Sequence, residues 1–203
     1  MKRPIYIFFV FICLFLLTTT AYCQKYLGIS AGADLYETVD FRGAASFEWQ
    51  QANALSFQTE VALVRRENYN LLAFLPLNED YIRPNITYIE IPFLVKFKMR
   101  IDDTAIYALA GPKIGWGLSV VSSKWDEKGQ PIQIPIRWEE LPIQRWDFGL
   151  TAGLGFEKLI SNDKKIFLEF RYYLGITDLN TSKESDVYNE GKLINLGFSL
   201  PVR

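Results

Sequence analysis

The sequence predicts an all-β chain folded as an eight-stranded antiparallel up-and-down transmembrane β-barrel. Three observations predict it. Eight stretches alternate apolar and polar residues with period two, the connections between them alternate short and long, and an export-type leader precedes them.

The leader comes first. Lys2 and Arg3 form a positive start, and Ile5 to Leu17 is an almost pure apolar run, shorter than the about 20 residues a spanning helix needs. Ala21 and Cys23 stand at the −3 and −1 positions of a cut before Gln24, so residues 1–23 read as a signal peptide and 24–203 as the barrel domain. A lipoprotein cut before Cys23 is the alternative, disfavoured by bulky Tyr22. Both cysteines, Cys13 and Cys23, fall inside the leader, which removes disulfides and thiolate metal sites from the mature chain. Losing Lys2 and Arg3 leaves 20 Lys+Arg against 23 Asp+Glu, a net of −3 with no basic field for nucleic acid. At 49% hydrophobic and 15% aromatic residues, the chain is too apolar to be disordered.

The strands follow in order. In the first, Leu27, Ile29, Ala31, Ala33 and Leu35 share one face, against Gly28, Ser30, Gly32 and Asp34. The second sets Ala45, Phe47 and Trp49 against Ala44, Ser46 and Glu48. The third sets Leu55, Phe57, Thr59, Val61 and Leu63 against Ser56, Gln58, Glu60 and Ala62. The fourth opposes Ile89, Ile91, Phe93, Val95 and Phe97 to Glu90, Pro92, Leu94, Lys96 and Lys98. The fifth runs from Ile106 to Ser119, with Tyr107, Gly111, Lys113, Gly115 and Gly117 on its second face. The sixth sets Trp146, Phe148, Leu150, Ala152, Leu154 and Phe156 against Arg145, Asp147, Thr151, Glu157 and three glycines. The seventh opposes Ile166, Leu168, Phe170, Tyr172 and Leu174 to Glu169, Arg171, Tyr173 and Gly175. The eighth opposes Ile194, Leu196, Phe198 and Leu200 to Asn195, Gly197 and Ser199.

Each charge within these stretches lies on the face opposite the apolar set, mixed with glycine. A narrow lumen needs glycine wherever long Arg, Lys and Tyr side chains must fit. Apolar outward and polar inward is the membrane-barrel arrangement. Short links at Gln50–Asn53, Arg100–Asp103 and Leu159–Lys165 alternate with long ones at Arg65–Thr87, Val121–Pro142 and Asp178–Lys192. The link around Tyr36–Asp40 is the exception. Trp49, Phe97 and Phe156 fall toward the short-turn end, and Trp116 and Trp146 toward the long-loop end, as two interfacial girdles would. Pro92 and Pro112 each predict a bulge, because a closed sheet has no free edge to hold a proline.

Tyr88-Ile89-Glu90-Ile91-Pro92-Phe93-Leu94-Val95-Lys96 and Ala110-Gly111-Pro112-Lys113-Ile114-Gly115, with Asp147–Gly155 and Arg171–Leu179, resemble segments of the PorT-like outer membrane β-barrel family of Bacteroidetes. The resemblance covers nearly the whole mature chain. It implies residence in the outer membrane of a Gram-negative bacterium, and for some relatives a link to type IX protein secretion or gliding. One departure is the ending Phe198-Ser199-Leu200-Pro201-Val202-Arg203, which lacks the terminal aromatic common in such barrels.

The chemical inventory predicts no enzyme. With no histidine there is no Ser-His or Cys-His nucleophile pair and no His-bearing zinc site, and no phosphate-binding glycine loop occurs. No catalytic, cofactor-binding or metal residues are expected. Glu60, Glu90, Lys96, Lys113, Arg145, Asp147, Glu169 and Arg171, with Lys98, are expected to form a salt-bridged structural plug in the lumen. The expected role is structural, adhesive or in envelope assembly. Outer membrane lipid surrounds a monomer, and an envelope or secretion partner docks on the external loops. Leu71–Leu77 is unusually apolar for such a loop. The alternative is a soluble lipocalin-like barrel with an apolar ligand inside, which requires the same alternation to be turned inside out. A pore is a third reading, disfavoured because eight strands leave a lumen filled by side chains.

Overall fold

In the computed structural model the described residues are 24–35, 40–67, 81–126, 128, 130–141, 143–181 and 188–202. The leader therefore lies outside them, as does Leu71–Leu77. Nine strands are present among the described residues: β1 (Gln24–Asp34), β2 (Asp40–Ala52), β3 (Leu55–Glu67), β4 (Tyr81–Ile101), β5 (Thr104–Trp125), β6 (Pro131–Ile136), β7 (Trp146–Ile160), β8 (Lys164–Gly175) and β9 (Glu190–Val202). Eight of them close a ring in the order β1-β2-β3-β4-β5-β7-β8-β9, with β9 pairing back onto β1. Every pairing is antiparallel. The ring has no free edge, so each strand finds its main-chain partners within the sheet, as lipid demands.

Side chains alternate across this wall. Ile29 is 68% exposed and Phe41 79%, whereas Tyr26 is 1% exposed on the inner face. The large apolar residues expected to face outward on β1, β3, β4, β7, β8 and β9 do so, among them Leu63, Phe93, Leu154 and Phe170. Trp49 stacks on Phe57 at 5.4 Å near the short-turn end, and Trp116 meets Trp146 edge-on at 4.4 Å near the other, so aromatics occupy both levels.

The short turns are tight. Asp102 and Asn162 take positive φ of 53° and 60°, conformations that Asp and Asn tolerate better than most residues.

The long connections depart from the sequence reading. β4 and β5 are 21 and 22 residues long, so β4 takes in the last residues of the segment read as the loop Arg65–Thr87 and β5 the first of Val121–Pro142. At about 3.3 Å per residue a 22-residue strand is about 70 Å long, far beyond what the bilayer core requires. The start of β4 and the end of β5 therefore project above the wall, away from their own tight turn, and β6 adds to that edge by pairing with Val120–Trp125.

Neither Pro92 nor Pro112 marks a bulge. Register shifts fall at Gln50/Ala52, Tyr81/Arg83 and Thr87/Tyr88 instead. Bridging between β4 and β5 lapses from Pro92↔Lys113 to Val95↔Ala110 and resumes in the same register. A proline deletes a donor without inserting a residue, so the ladder loses a rung and no strand slips.

Candidate functional site: a sealed charged lumen

Charged side chains fill the barrel in three tiers. In the upper tier, toward the long loops, Arg66 pairs with Asp34 (Nε–Oδ2, 3.1 Å) and Glu90 (Nη1–Oε1, 2.7 Å). Lys113 pairs with Glu90 as well, and lies 3.9 Å from Asp147 Oδ2. The Tyr173 hydroxyl donates to Asp147 Oδ1 at 2.6 Å, and Asn189 Nδ2 donates to Oδ2 at 3.0 Å. Lys113 Nζ sits 3.0 Å from the Tyr173 ring centroid.

In the middle tier Arg171 forks onto both oxygens of Glu60, at 2.9 and 2.6 Å, and also bonds Glu169. Arg42 shares the same Glu60. A planar guanidinium facing a carboxylate in this two-bond geometry is among the strongest pairings available to side chains.

In the lower tier Lys96 reaches Glu169 at 2.8 Å, and the Tyr107 hydroxyl donates to the same oxygen at 2.6 Å. Lys98 bridges Glu48 (2.6 Å) and Glu157 (2.7 Å), and Lys165 closes onto Glu48 at 3.1 Å. Arg100 reaches Glu157 from the lower mouth at 3.4 Å.

Among the described residues the buried charges balance. Asp34, Glu48, Glu60, Glu90, Asp147, Glu157 and Glu169 oppose Arg42, Arg66, Lys96, Lys98, Lys113, Lys165 and Arg171, seven of each sign, and none is more than 9% exposed. All fourteen lie within 4.0 Å of an opposite charge. Ions taken out of water are tolerated only when paired this completely. A cavity of about 20 Å³ remains beside Arg66, Lys113 and Arg171, space for a single water molecule.

Glycines make the packing possible. A Cβ on Gly155 would stand 2.3 Å from the Tyr107 ring, and one on Gly197 2.1 Å from the Phe167 ring. Above the charges, Trp138, Leu141 and Ile143 of the β5–β7 connection pack against Ile86, Tyr88 and Val120 on the inner side of β4 and β5. Trp138 lies over Gly117, where a Cβ would come within 2.3 Å of its ring. Gln144 N donates to Leu179 O at 2.8 Å, tying this apolar cap to the β8–β9 connection.

The structure brings together Glu60, Glu90, Lys96, Lys113, Asp147, Glu169 and Arg171, with Lys98. Arg145 is not among them. It precedes β7, its side chain is 38% exposed, and it pairs at 3.0 Å with exposed Glu139 while lying over the Trp116 and Trp138 rings. Its peptide carbonyl accepts from Gly117 N, so main-chain pairing reaches Arg145 at the rim while its side chain lies in solvent. Asp34, Arg42, Glu48, Arg66, Glu157 and Lys165 join the network beyond the expected set. Their signal was parity: each lies an even number of residues from an inward neighbour on its own strand. Among the described residues no group of three His, Cys, Asp or Glu could hold a metal ion.

A closed antiparallel ring with an apolar exterior and a neutralised ionic interior defines a transmembrane β-barrel. The chain belongs to the outer membrane protein beta-barrel domain family, whose model matches residues 29–180. It is a small outer membrane β-barrel, and the soluble barrel with an apolar interior is excluded by the charges inside. No curated protein matches it in sequence. Among solved structures it is similar to Neisserial surface protein A (14% identity, 89% of this chain and 96% of that one, TM-score 0.49). It is also similar to the attachment invasion locus protein Ail of Yersinia pestis in complex with a heparin analogue (15%, 88% and 97%, 0.44) and to the outer membrane enzyme PagL (10%, 87% and 99%, 0.46).

Proposed function

We propose that this barrel is a non-enzymatic element of the outer membrane that acts through its long-loop end, in adhesion or in envelope assembly, and does not conduct solutes. The carrying observation is the lumen: seven carboxylates and seven cations are committed to one another, beneath an apolar cap from the β5–β7 connection. A carboxylate held by one or more cations is poorly placed to serve as a general base, and the chain contains no histidine to replace it. Among the described residues, the projecting start of β4 and end of β5 with β6 offer recognition a rigid frame of the kind that carries binding loops.

Planar-bilayer recording tests the sealed lumen: purified barrel gives no steady single-channel current, and a reproducible open level would overturn the reading. Crosslinking in the native host, followed by co-purification, tests the loop end. The expected product joins the β5–β7 connection to another envelope protein. The PorT-like motifs favour a partner from the secretion apparatus, and recovery of barrel monomer alone would remove the assembly role. We place export through a leader cut before Gln24, and N-terminal sequencing of the membrane-inserted protein checks that residue.

A further inference from the structure

We propose that the outer wall of the barrel holds a lipid site, which seats one acyl chain and the phosphate of an anionic lipid from the leaflet on the long-loop side. Large apolar side chains cover most of the described outer wall. Across β7, β8 and β9, however, a groove of about 610 Å³ opens, bounded by Leu154, Phe170 and Ile194, with Leu35 and Lys192 at one end. Its lining is nearly all apolar, and its volume lies within the range of sites that hold small molecules. The groove exists because Ala152 stands where the rest of β7 presents Phe148, Leu150, Leu154 and Phe156.

The register gives the groove a direction. Ala152 is opposite Tyr172, which is opposite Lys192. Ala152 is six residues into β7, Tyr172 is three from the end of β8, and Lys192 is two from the start of β9. Crossing from β7 to β9 therefore climbs from the middle of the wall to the rim below the long loops. A lipid of that leaflet has the same polarity, with its tail end near the mid-plane and its phosphate at the interface. The Lys192 ammonium, exposed on a flexible stem, is placed to meet that phosphate. Beside it, Glu190 accepts a hydrogen bond from the Tyr172 hydroxyl at 3.0 Å.

Native mass spectrometry of the delipidated mature barrel tests the site, with phosphatidylglycerol or phosphatidylcholine of identical chains added back. Wild type is expected to retain one phosphatidylglycerol in preference to phosphatidylcholine. Lys192→Glu lowers that retention by roughly tenfold, the effect of losing one charge-assisted contact. Ala152→Phe fills the groove and abolishes it, while Ala45→Phe, outward on the distant β2 wall, leaves it unchanged. Heat-modifiable mobility reports folding of each variant, and Lys192→Glu decides alone if Ala152→Phe does not fold. Equal retention of the two lipids by wild type overturns the proposal. So does undiminished phosphatidylglycerol in a folded Lys192→Glu or Ala152→Phe barrel, or a loss in Ala45→Phe as large as theirs.

Discussion

Arg171 and Arg145 show how far the energetic meaning of an arginine depends on where the wall puts it. Arg171 is buried, forks onto Glu60 and bonds Glu169. Removing it strands parts of two carboxylates where water cannot reach. Arg171→Ala is expected to destabilise the barrel by about 3–5 kcal/mol, the range for breaking a buried pair by deleting one partner. Arg145 meets Glu139 in solvent, so Arg145→Ala is expected to cost under about 1 kcal/mol. Urea unfolding in lipid vesicles measures both, and similar midpoints for the two variants would contradict the assignment. Both arginines carry the same alternation signal in sequence. They differ because Arg145 lies one residue before β7 begins, and strand boundaries are less visible than strand interiors.

Among the elements, β4 and β5 are the most demanding. At their centre the strands approach so closely that a Cβ on Gly111 would stand 1.8 Å from the Phe93 carbonyl oxygen, a backbone atom that cannot swing aside. Gly111→Ala is therefore expected to block closure of the β4–β5 hairpin and to leave protein without a heat-modifiable band. Gly43, facing open space, is expected to accept alanine with normal mobility. The inward and outward faces of the barrel strands were legible from period two alone, because one face must suit lipid and the other a cramped ionic interior. The upper reaches were not. Val120 and Ser122 face inward above a register shift at Thr87/Tyr88, which breaks the alternation there. Pro131-Ile132-Gln133-Ile134-Pro135-Ile136 carries two prolines that read as loop, yet as β6 it is an edge strand, where prolines are tolerated. The Trp138 cap was invisible for the same reason: it depends on contacts between distant connections, which no local pattern encodes. Trp138→Ala should cost about 3–5 kcal/mol as a large-to-small change in a packed cluster, measurable in the same urea assay. Because the ionic tiers beneath stay intact, it should leave the barrel electrically silent.

At the scale of the whole molecule, the ring has two unlike ends. Three tight turns and the paired ends of β1 and β9 lie at one, while the projecting start of β4 and end of β5, β6 and the cap lie at the other. Barrels of this class place short turns in the periplasm and longer loops outside the cell. That polarity fixes where a partner and the leaflet of the proposed lipid must be. It is testable because the sequence has no cysteine after Cys23, so introduced thiols report alone once the leader is gone. Lys128→Cys, exposed between β5 and β6, should react with a membrane-impermeant maleimide on intact cells. Asp102→Cys, in the two-residue turn between β4 and β5, should react only after the outer membrane is opened. Labelling of Asp102→Cys on intact cells, with Lys128→Cys protected, would mean that the barrel is inserted the other way up, and the long-loop end could not meet anything outside the cell.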